Sequence, residues 1–152
     1  MDRQRRDLLK ASLALGLAAA APAFAAPRLE RSSARTRSGH VLGLRNGDLH
    51  VFRGIRYGAD TSTHRFQPPQ RELPWRGARE ALAFGASAPQ GGGDGPGSED
   101  CLFLNLTTPG LRDGRKRPIL FYIHGGGFNN GSGSDPLYDG SQLCTHGDVV
   151  VV

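Results

Sequence analysis

Three consecutive glycines, Gly125, Gly126 and Gly127, stand between His124 and Phe128, directly after the apolar run Ile119-Leu120-Phe121-Tyr122-Ile123. Glycine has no Cβ, so successive backbone N–H groups in such a loop can converge on one point and come close to a ligand. Three chemistries use that property. A phosphate-cradling loop needs Gly-Lys followed by Ser or Thr, and the chain has none. A dinucleotide fingerprint needs Gly-x-Gly-x-x-Gly opening a helix. Gly125 and Gly127 fit it, but Asn130 occupies the third glycine position and Asn129 to Pro136 reads as loop. The third is an oxyanion hole, in which backbone N–H groups stabilise the negative oxygen that develops during acyl transfer. A plain glycine-rich turn is the structural alternative. The other groups that acyl transfer requires are harder to find. No Gly-x-Ser-x-Gly occurs: Gly131-Ser132-Gly133-Ser134-Asp135 does not fit it, and Gly85-Ala86-Ser87-Ala88-Pro89 fails at its last position. His124 is a tempting base and Asp139 a tempting acid, but Asp139 is better placed as a helix cap.

The elements that must carry this loop follow from apolar runs and punctuation. Ile119–Ile123 has strand length and β-branched and aromatic content, so it is expected as a buried strand. Leu102–Leu106 is a strand before it, with Arg112–Arg117 a charged turn between them. After the glycine loop, a short helix is expected over about Gly140–His146, with Asp139 as N-cap and Gly147 as stop. Val149–Val152 is a second buried strand. Strand, loop, helix and strand form a right-handed crossover, which implies parallel pairing. Upstream, Gly39–Gly54 reads as a β-hairpin turning at Asn46-Gly47-Asp48. Residues 27–38 are polar and basic and are expected to be loose. Residues 55–100 hold no long periodic segment; Pro68-Pro69 and Pro74 exclude a helix around them, and Gly91–Gly97 is a flexible tract. The expected class is α/β: a small N-terminal β-hairpin, then the start of a mostly parallel central sheet. A strand that is apolar on both faces needs cover on both, so the chain is expected to be the N-terminal part of a larger domain.

Composition narrows the function classes. The net charge of +5 is partly a property of the first 26 residues, where Arg3, Arg5, Arg6 and Lys10 outweigh Asp2 and Asp7. The only dense basic run in the remainder is Arg115-Lys116-Arg117, a solvated turn, so no nucleic-acid face is expected. Residues 1–26 read as an export signal. A charged start precedes the apolar Ala11–Ala21, and Ala23-Phe24-Ala25 gives the small-x-small pattern of a cleavage site. Arg5-Arg6 before Asp7-Leu8-Leu9-Lys10 resembles a twin-arginine leader. The apolar stretch is shorter than the roughly 20 residues that span a bilayer, so no stable membrane anchor is expected. The protein is expected to be exported to the periplasm or secreted by a bacterium. An oxidising destination would permit a bridge between Cys101 and Cys144, though two cysteines alone do not establish one.

Several separated segments together resemble the type-B carboxylesterase and cholinesterase-like family. In chain order they are Phe52-Arg53-Gly54-Ile55-Arg56-Tyr57, Arg65-Phe66, Pro74-Trp75, Phe84-Gly85 and Ala88-Pro89-Gln90. Then come Ser98-Glu99-Asp100-Cys101-Leu102-Phe103-Leu104-Asn105, His124–Phe128, Tyr138-Asp139-Gly140 and Gly147-Asp148-Val149-Val150. The resemblance spans residues 39–152 and implies the N-terminal part of an α/β-hydrolase domain. It implies that Gly126 and Gly127 donate two N–H groups of an oxyanion hole, and that Arg65 and Glu99 form a structural ion pair. Phe66 and Trp75 would be packing residues. His124 would pack at the strand end, because the catalytic residues of this fold run Ser, then Asp or Glu, then His. Neither cofactor nor metal is implied. Two departures stand out. Arg56 occupies a position where the family commonly has Pro, and Ala88 stands where many members carry the disulfide partner of Cys101, so both cysteines are expected to be free thiols.

Three functions fit these residues. The first is a serine carboxylic-ester hydrolase acting on a small-molecule ester, with its nucleophile, acid and base beyond residue 152. The second is a non-catalytic cholinesterase-like binding or adhesion domain, since fold does not fix function. The third is a short stand-alone protein with a binding role. A Gly-x-Ser-x-Gly in the following reading frame, a replaced Ser, or a stop codon would separate them.

Overall fold

The computed structural model describes residues 30–91 and 97–152. The proposed leader, residues 27–29 of the polar segment and most of the Gly91–Gly97 tract lie outside the described residues. Among the described residues, seven strands form one mixed sheet: β1 (Arg31–Arg35), β2 (His40–Asn46), β3 (Leu49–Arg56), β4 (Ala78–Glu80), β5 (Phe103–Thr108), β6 (Ile119–Leu120) and β7 (Val150–Val151). The order is β1-β2-β3-β5-β7-β6, with β4 beside β2. Helix α1 (Ser141–Gly147) precedes β7, and a 3₁₀ turn covers Pro136–Tyr138. Among the described residues, no helix is long and apolar enough to cross a membrane.

The hairpin forms where expected. Asn46 pairs with Leu49, which leaves Gly47 and Asp48 as the turn. Gly47 has φ +59°, while neither Asn46 nor Asp48 has a positive φ. Positive φ at the first central position alone is the pattern of a type II′ turn, so the glycine rather than the Asn-Gly pair does the turning. Beyond the turn the two strands splay. β4 fills the gap, pairing parallel to β2 over His40–Leu42, and the Ala81 carbonyl accepts the Arg53 N–H at 2.8 Å. A register shift between Phe52 and Ile55, with Gly54 at φ +72°, bends β3 there.

Alternation along β3 divides the core between the two faces of the sheet. Leu49 and Val51 pack with Cys144 of α1 and with Val151 on one face, while Phe52 packs with Val41 and Ala81 on the other. Phe52 is 1% exposed and is the largest fully buried side chain among the described residues. Burying it contributes roughly 1.5–3 kcal/mol. Gly43 makes room for it, since a Cβ there would lie 2.6 Å from the Phe52 ring. On the helix side, a Cβ at Gly140 would lie 2.6 Å from a Val151 methyl, so this glycine lets α1 sit close to β7.

Several expectations are corrected. Residues 31–35 of the segment expected to be loose form β1, paired antiparallel with β2 along its length. Its inward residues are Ser32 and Ala34 rather than large apolar ones, and buried Ser32 is satisfied by the Leu44 carbonyl at 3.2 Å and the His50 ring at 2.7 Å. The run 119–123 pairs parallel with β7, and the Tyr122 N–H reaches the Val152 carbonyl at 2.7 Å, but it is not buried: Ile123 is 78% exposed. It is the last strand in the sheet order and has one neighbour among the described residues. Of the mostly parallel sheet, the described residues hold the β6–β7 pair; β2–β4 is also parallel, and the β1-β2-β3-β5-β7 path is antiparallel throughout. Gly147 is the last helical residue rather than the stop; the left-handed C-cap is Asp148, whose N–H bonds the Cys144 carbonyl at 3.2 Å. Aspartate tolerates that conformation better than most residues. Its carboxylate is held by Arg117 Nε at 2.8 Å and also contacts Arg115.

Candidate active site

The glycine loop leaves the parallel strand pair at His124 and returns to the sheet through Gly131–Ser134. Gly126 has φ +122° and Gly127 φ +59°. The Gly126 carbonyl accepts the N–H groups of Asn129 at 3.0 Å and Asn130 at 3.3 Å, closing a tight turn. A Cβ on Gly126 would overlap the Asn130 carbonyl oxygen, whereas one on Gly127 would meet nothing within 4 Å. Neither Gly126 nor Gly127 has an acceptor for its N–H among the described residues. Phe128, also at positive φ, is fully exposed.

Side chains hold the returning arm of the loop. Gln90 accepts the Gly131 N–H at 2.7 Å through Oε1, and its Nε2 donates to the Gly131 carbonyl at 3.0 Å and to Ala88 at 3.2 Å. Asn105 on β5 donates to the Gly133 carbonyl at 3.0 Å and accepts the Gly54 N–H at 3.0 Å. The Tyr122 and Tyr138 rings pack at a tilt of 43° with centroids 4.8 Å apart, and Tyr122 holds the Tyr138 phenol above its ordinary range. An open cavity of about 870 Å³ flanks the loop, walled by Phe84, Phe103, Phe121 and Phe128. Gly126 and Gly127 are not among its lining residues, so it lies beside the candidate donors rather than around them.

Other candidates sort by their partners. His124 is exposed, with Nδ1 2.8 Å from the Gly125 carbonyl, so among the described residues it neither packs at the strand end as expected nor meets a serine. Asp139 accepts the Ser141 N–H at 2.7 Å, and the bonds to Ser141 hold its carboxyl below the usual range. That suits a cap for the first turn of α1, one residue before the Gly140 N-cap, and is the wrong direction for a general acid. Ser32 and His50 resemble a nucleophile–base pair at 2.7 Å, but Ser32 is buried and also bonds the Leu44 carbonyl, and burial followed by Arg45 lowers the His50 pKa. Cys101 and Cys144 are free thiols, and burial pushes both up, so neither is an activated nucleophile.

Arg65 and Glu99 lie 3.1 Å apart on the surface. Beside them, Arg56 forms a two-point pair with Asp100, Nη2 to Oδ2 at 2.7 Å, and sits 4.5 Å above the Phe103 ring. Glu72 lies 3.6 Å from Arg56 and 2.7 Å from Arg79, which stacks on Trp75 at 4.3 Å. These ions tie irregular residues 57–77 to the Ser98–Asn105 segment. Trp75 packs against the core on the Phe52 side and donates its ring N–H to the His40 carbonyl at 3.0 Å. Phe66, expected to pack, is 99% exposed at φ +61°, because its stretch runs over the surface.

The Carboxylesterase family profile matches residues 30–152. The chain belongs to the carboxylesterase family. It is 41% identical over 142 residues to a phenmedipham hydrolase of Pseudarthrobacter oxydans, covering 80% of this chain and 27% of that protein. It is 36% identical over 131 residues to a para-nitrobenzyl esterase of Bacillus subtilis, covering 77% and 26%. Among solved structures, a Geobacillus stearothermophilus carboxylesterase aligns with TM-score 0.73 at 45% identity, covering 80% of this chain and 25% of that one. The chain therefore spans about a quarter of the length of these relatives, and its sheet is part of an α/β-hydrolase fold. Within that family, the positioning side chains Gln90 and Asn105 carry no signal of their own in the sequence. Both sit inside motif segments, but neither periodicity nor composition marks a carboxamide that binds backbone.

Proposed function

We propose that this chain is the oxyanion-hole-bearing part of a serine carboxylic-ester hydrolase acting on small-molecule esters. The observation that carries the reading is the His124–Phe128 loop, in which two glycine N–H groups stand without acceptors among the described residues, in a turn that excludes a side chain at Gly126. The family's relatives are named for ester hydrolysis, which gives that loop its chemistry. In this reading a Ser supplied by sequence beyond residue 152 adds to the ester carbonyl carbon. A His base accepts the Ser proton and returns it to the departing alcohol, and an acidic residue orients the His. The carbonyl oxygen takes up the negative charge facing the Gly126 and Gly127 N–H groups, with a third donor from the residue after the nucleophile. Arg65 and Glu99 act as a structural ion pair. Residues 1–26 direct export through a twin-arginine route to the periplasm or beyond.

The test compares the 152-residue chain with the complete gene product on nitrophenyl acetate. The complete product is expected to turn over saturably and to be stopped by a serine-directed organophosphonate, while the 152-residue chain stays at the buffer rate. Saturable, inhibitor-sensitive turnover by the 152-residue chain would contradict the assignment of the nucleophile. An inert complete product with an intact Ser, acid and His would contradict the esterase reading.

A further inference from the structure

We propose that Gln90 is the positioning residue of the oxyanion loop, a carboxamide clamp that holds Gly131 and through it Gly126 and Gly127. The role rests on the esterase reading; the clamp itself does not. One face of the Gln90 carboxamide makes a closed pair of bonds with Gly131: Oε1 accepts its N–H at 2.7 Å and Nε2 donates to its carbonyl at 3.0 Å. The second Nε2 hydrogen goes to the Ala88 carbonyl at 3.2 Å, so the amide is oriented by its own strand of chain. A two-point contact fixes both position and rotation of the peptide it grips, which a single bond does not.

Gly131 is where such a grip reaches the candidate donors. It has φ +109°, and a Cβ there would lie 2.6 Å from the Gly125 carbonyl and 2.6 Å from His124 Nδ1. The returning arm is thus packed against the residues immediately before Gly126. Asn105 fixes the next alternate residue, Gly133, from β5. Every residue from 121 to 130 is exposed among the described residues, so this part of the fold gives the loop little apolar packing. The Asn129 and Asn130 N–H bonds to the Gly126 carbonyl close the turn from within, and Gln90 adds two bonds from outside at one residue. Amide N–H groups that stabilise an oxyanion must be held in place before the charge forms, and a displacement of about 1 Å can cost about 10²-fold in rate.

Two substitutions in the complete gene product test this, read by hydrogen exchange over residues 124–135 and by turnover of nitrophenyl acetate. Q90A is expected to raise exchange in the loop, lower kcat about 10-fold and leave KM within about 2-fold, since the donors act on the transition state. Q90E has the same size and separates bonding from space-filling. Its protonated carboxyl can accept from Gly131 N–H and donate to the Gly131 carbonyl, whereas its carboxylate faces that carbonyl with a negative charge. Bonding in the protonated form raises the folded-state pKa, so loop protection in Q90E is expected below the ordinary Glu range and is lost as pH rises through the raised value. Q90A should show no such recovery. Unchanged exchange in Q90A, or Q90E protected equally at all pH, overturns the clamp. Raised exchange with unchanged kcat overturns the positioning role and leaves the loop contact standing. An inert parent enzyme counts against the esterase reading and removes the catalytic role with it, while exchange still decides whether Gln90 holds the loop.

Discussion

Alanine at Gly126 and at Gly127 should have unequal consequences, although the two residues are adjacent and identical. At Gly127 the backbone is in the left-handed region at φ +59°, and an added Cβ meets nothing within 4 Å. The cost is the conformational preference of an L-residue, about 1 kcal/mol, with the donor left in place. At Gly126 φ is +122°, which L-residues do not adopt, and the Cβ overlaps the Asn130 carbonyl oxygen. The turn must open, which breaks the bonds from Asn129 and Asn130 to the Gly126 carbonyl and swings the Gly126 and Gly127 N–H groups away. Loss of one oxyanion donor typically costs about 10²–10³ in turnover, or about 2.7–4 kcal/mol. G126A in the complete gene product is therefore expected to lose kcat by at least that factor with KM little changed, and G127A to stay within about 10-fold of the parent. Steady-state kinetics on nitrophenyl acetate, with a thermal melt to confirm folding, read both. A folded G126A with parental kcat, or equal losses in the two variants, would refute the placement of the donors.

Further outcomes follow from the thiols, the ion pairs and the leader. The unfolded, unreduced chain should take up two equivalents of a thiol reagent, whereas in the native protein buried Cys144 should react more slowly than Cys101; a disulfide-linked chain that takes no label would contradict this. Asp113 is held down to about 2, first by its bonds to Arg117 and then by the Arg115 N–H. Because the folded value is depressed, the stabilisation is present above the ordinary value of 3.8 and is lost as pH falls through about 2. Carbon-13 titration should find that midpoint, and R117Q should move it back toward the ordinary value; an unmoved midpoint would sink the pairing. Replacing Arg5 and Arg6 with Lys should leave precursor in the cytoplasm, and full export of the double variant would exclude a twin-arginine route.

Much of the fold and the candidate loop was legible because glycine, proline and apolar runs punctuate the chain at the points that matter. Gly47 placed the hairpin turn, Ile119 to Ile123 placed the strand leading into the loop, and the Ser98–Asn105 and His124–Phe128 segments together pointed to the family. β1 was not legible because its inward residues are Ser32 and Ala34, so an alternating strand looks like a polar tail. Phe66 misled in the opposite sense: its ring reads as core by type, and only the path of residues 57–77 over the surface leaves it exposed. The helix stop slipped by one residue because Arg117 and Arg115 hold Asp148 in a conformation for which sequence alone favours glycine. The grip of Gln90 on Gly131 joins residues 41 positions apart, which local pattern cannot reveal.

The central claim is that Gly126 and Gly127 bind the oxygen on which negative charge develops. The most direct measurement is a crystal structure of the complete gene product covalently trapped with a serine-directed phosphonate, whose phosphoryl oxygen mimics that oxyanion. The account predicts the oxygen about 2.7–3.1 Å from the backbone nitrogens of both Gly126 and Gly127. A trapped phosphonate whose oxygen faces away from these two residues, or bonds only to other donors, would contradict it.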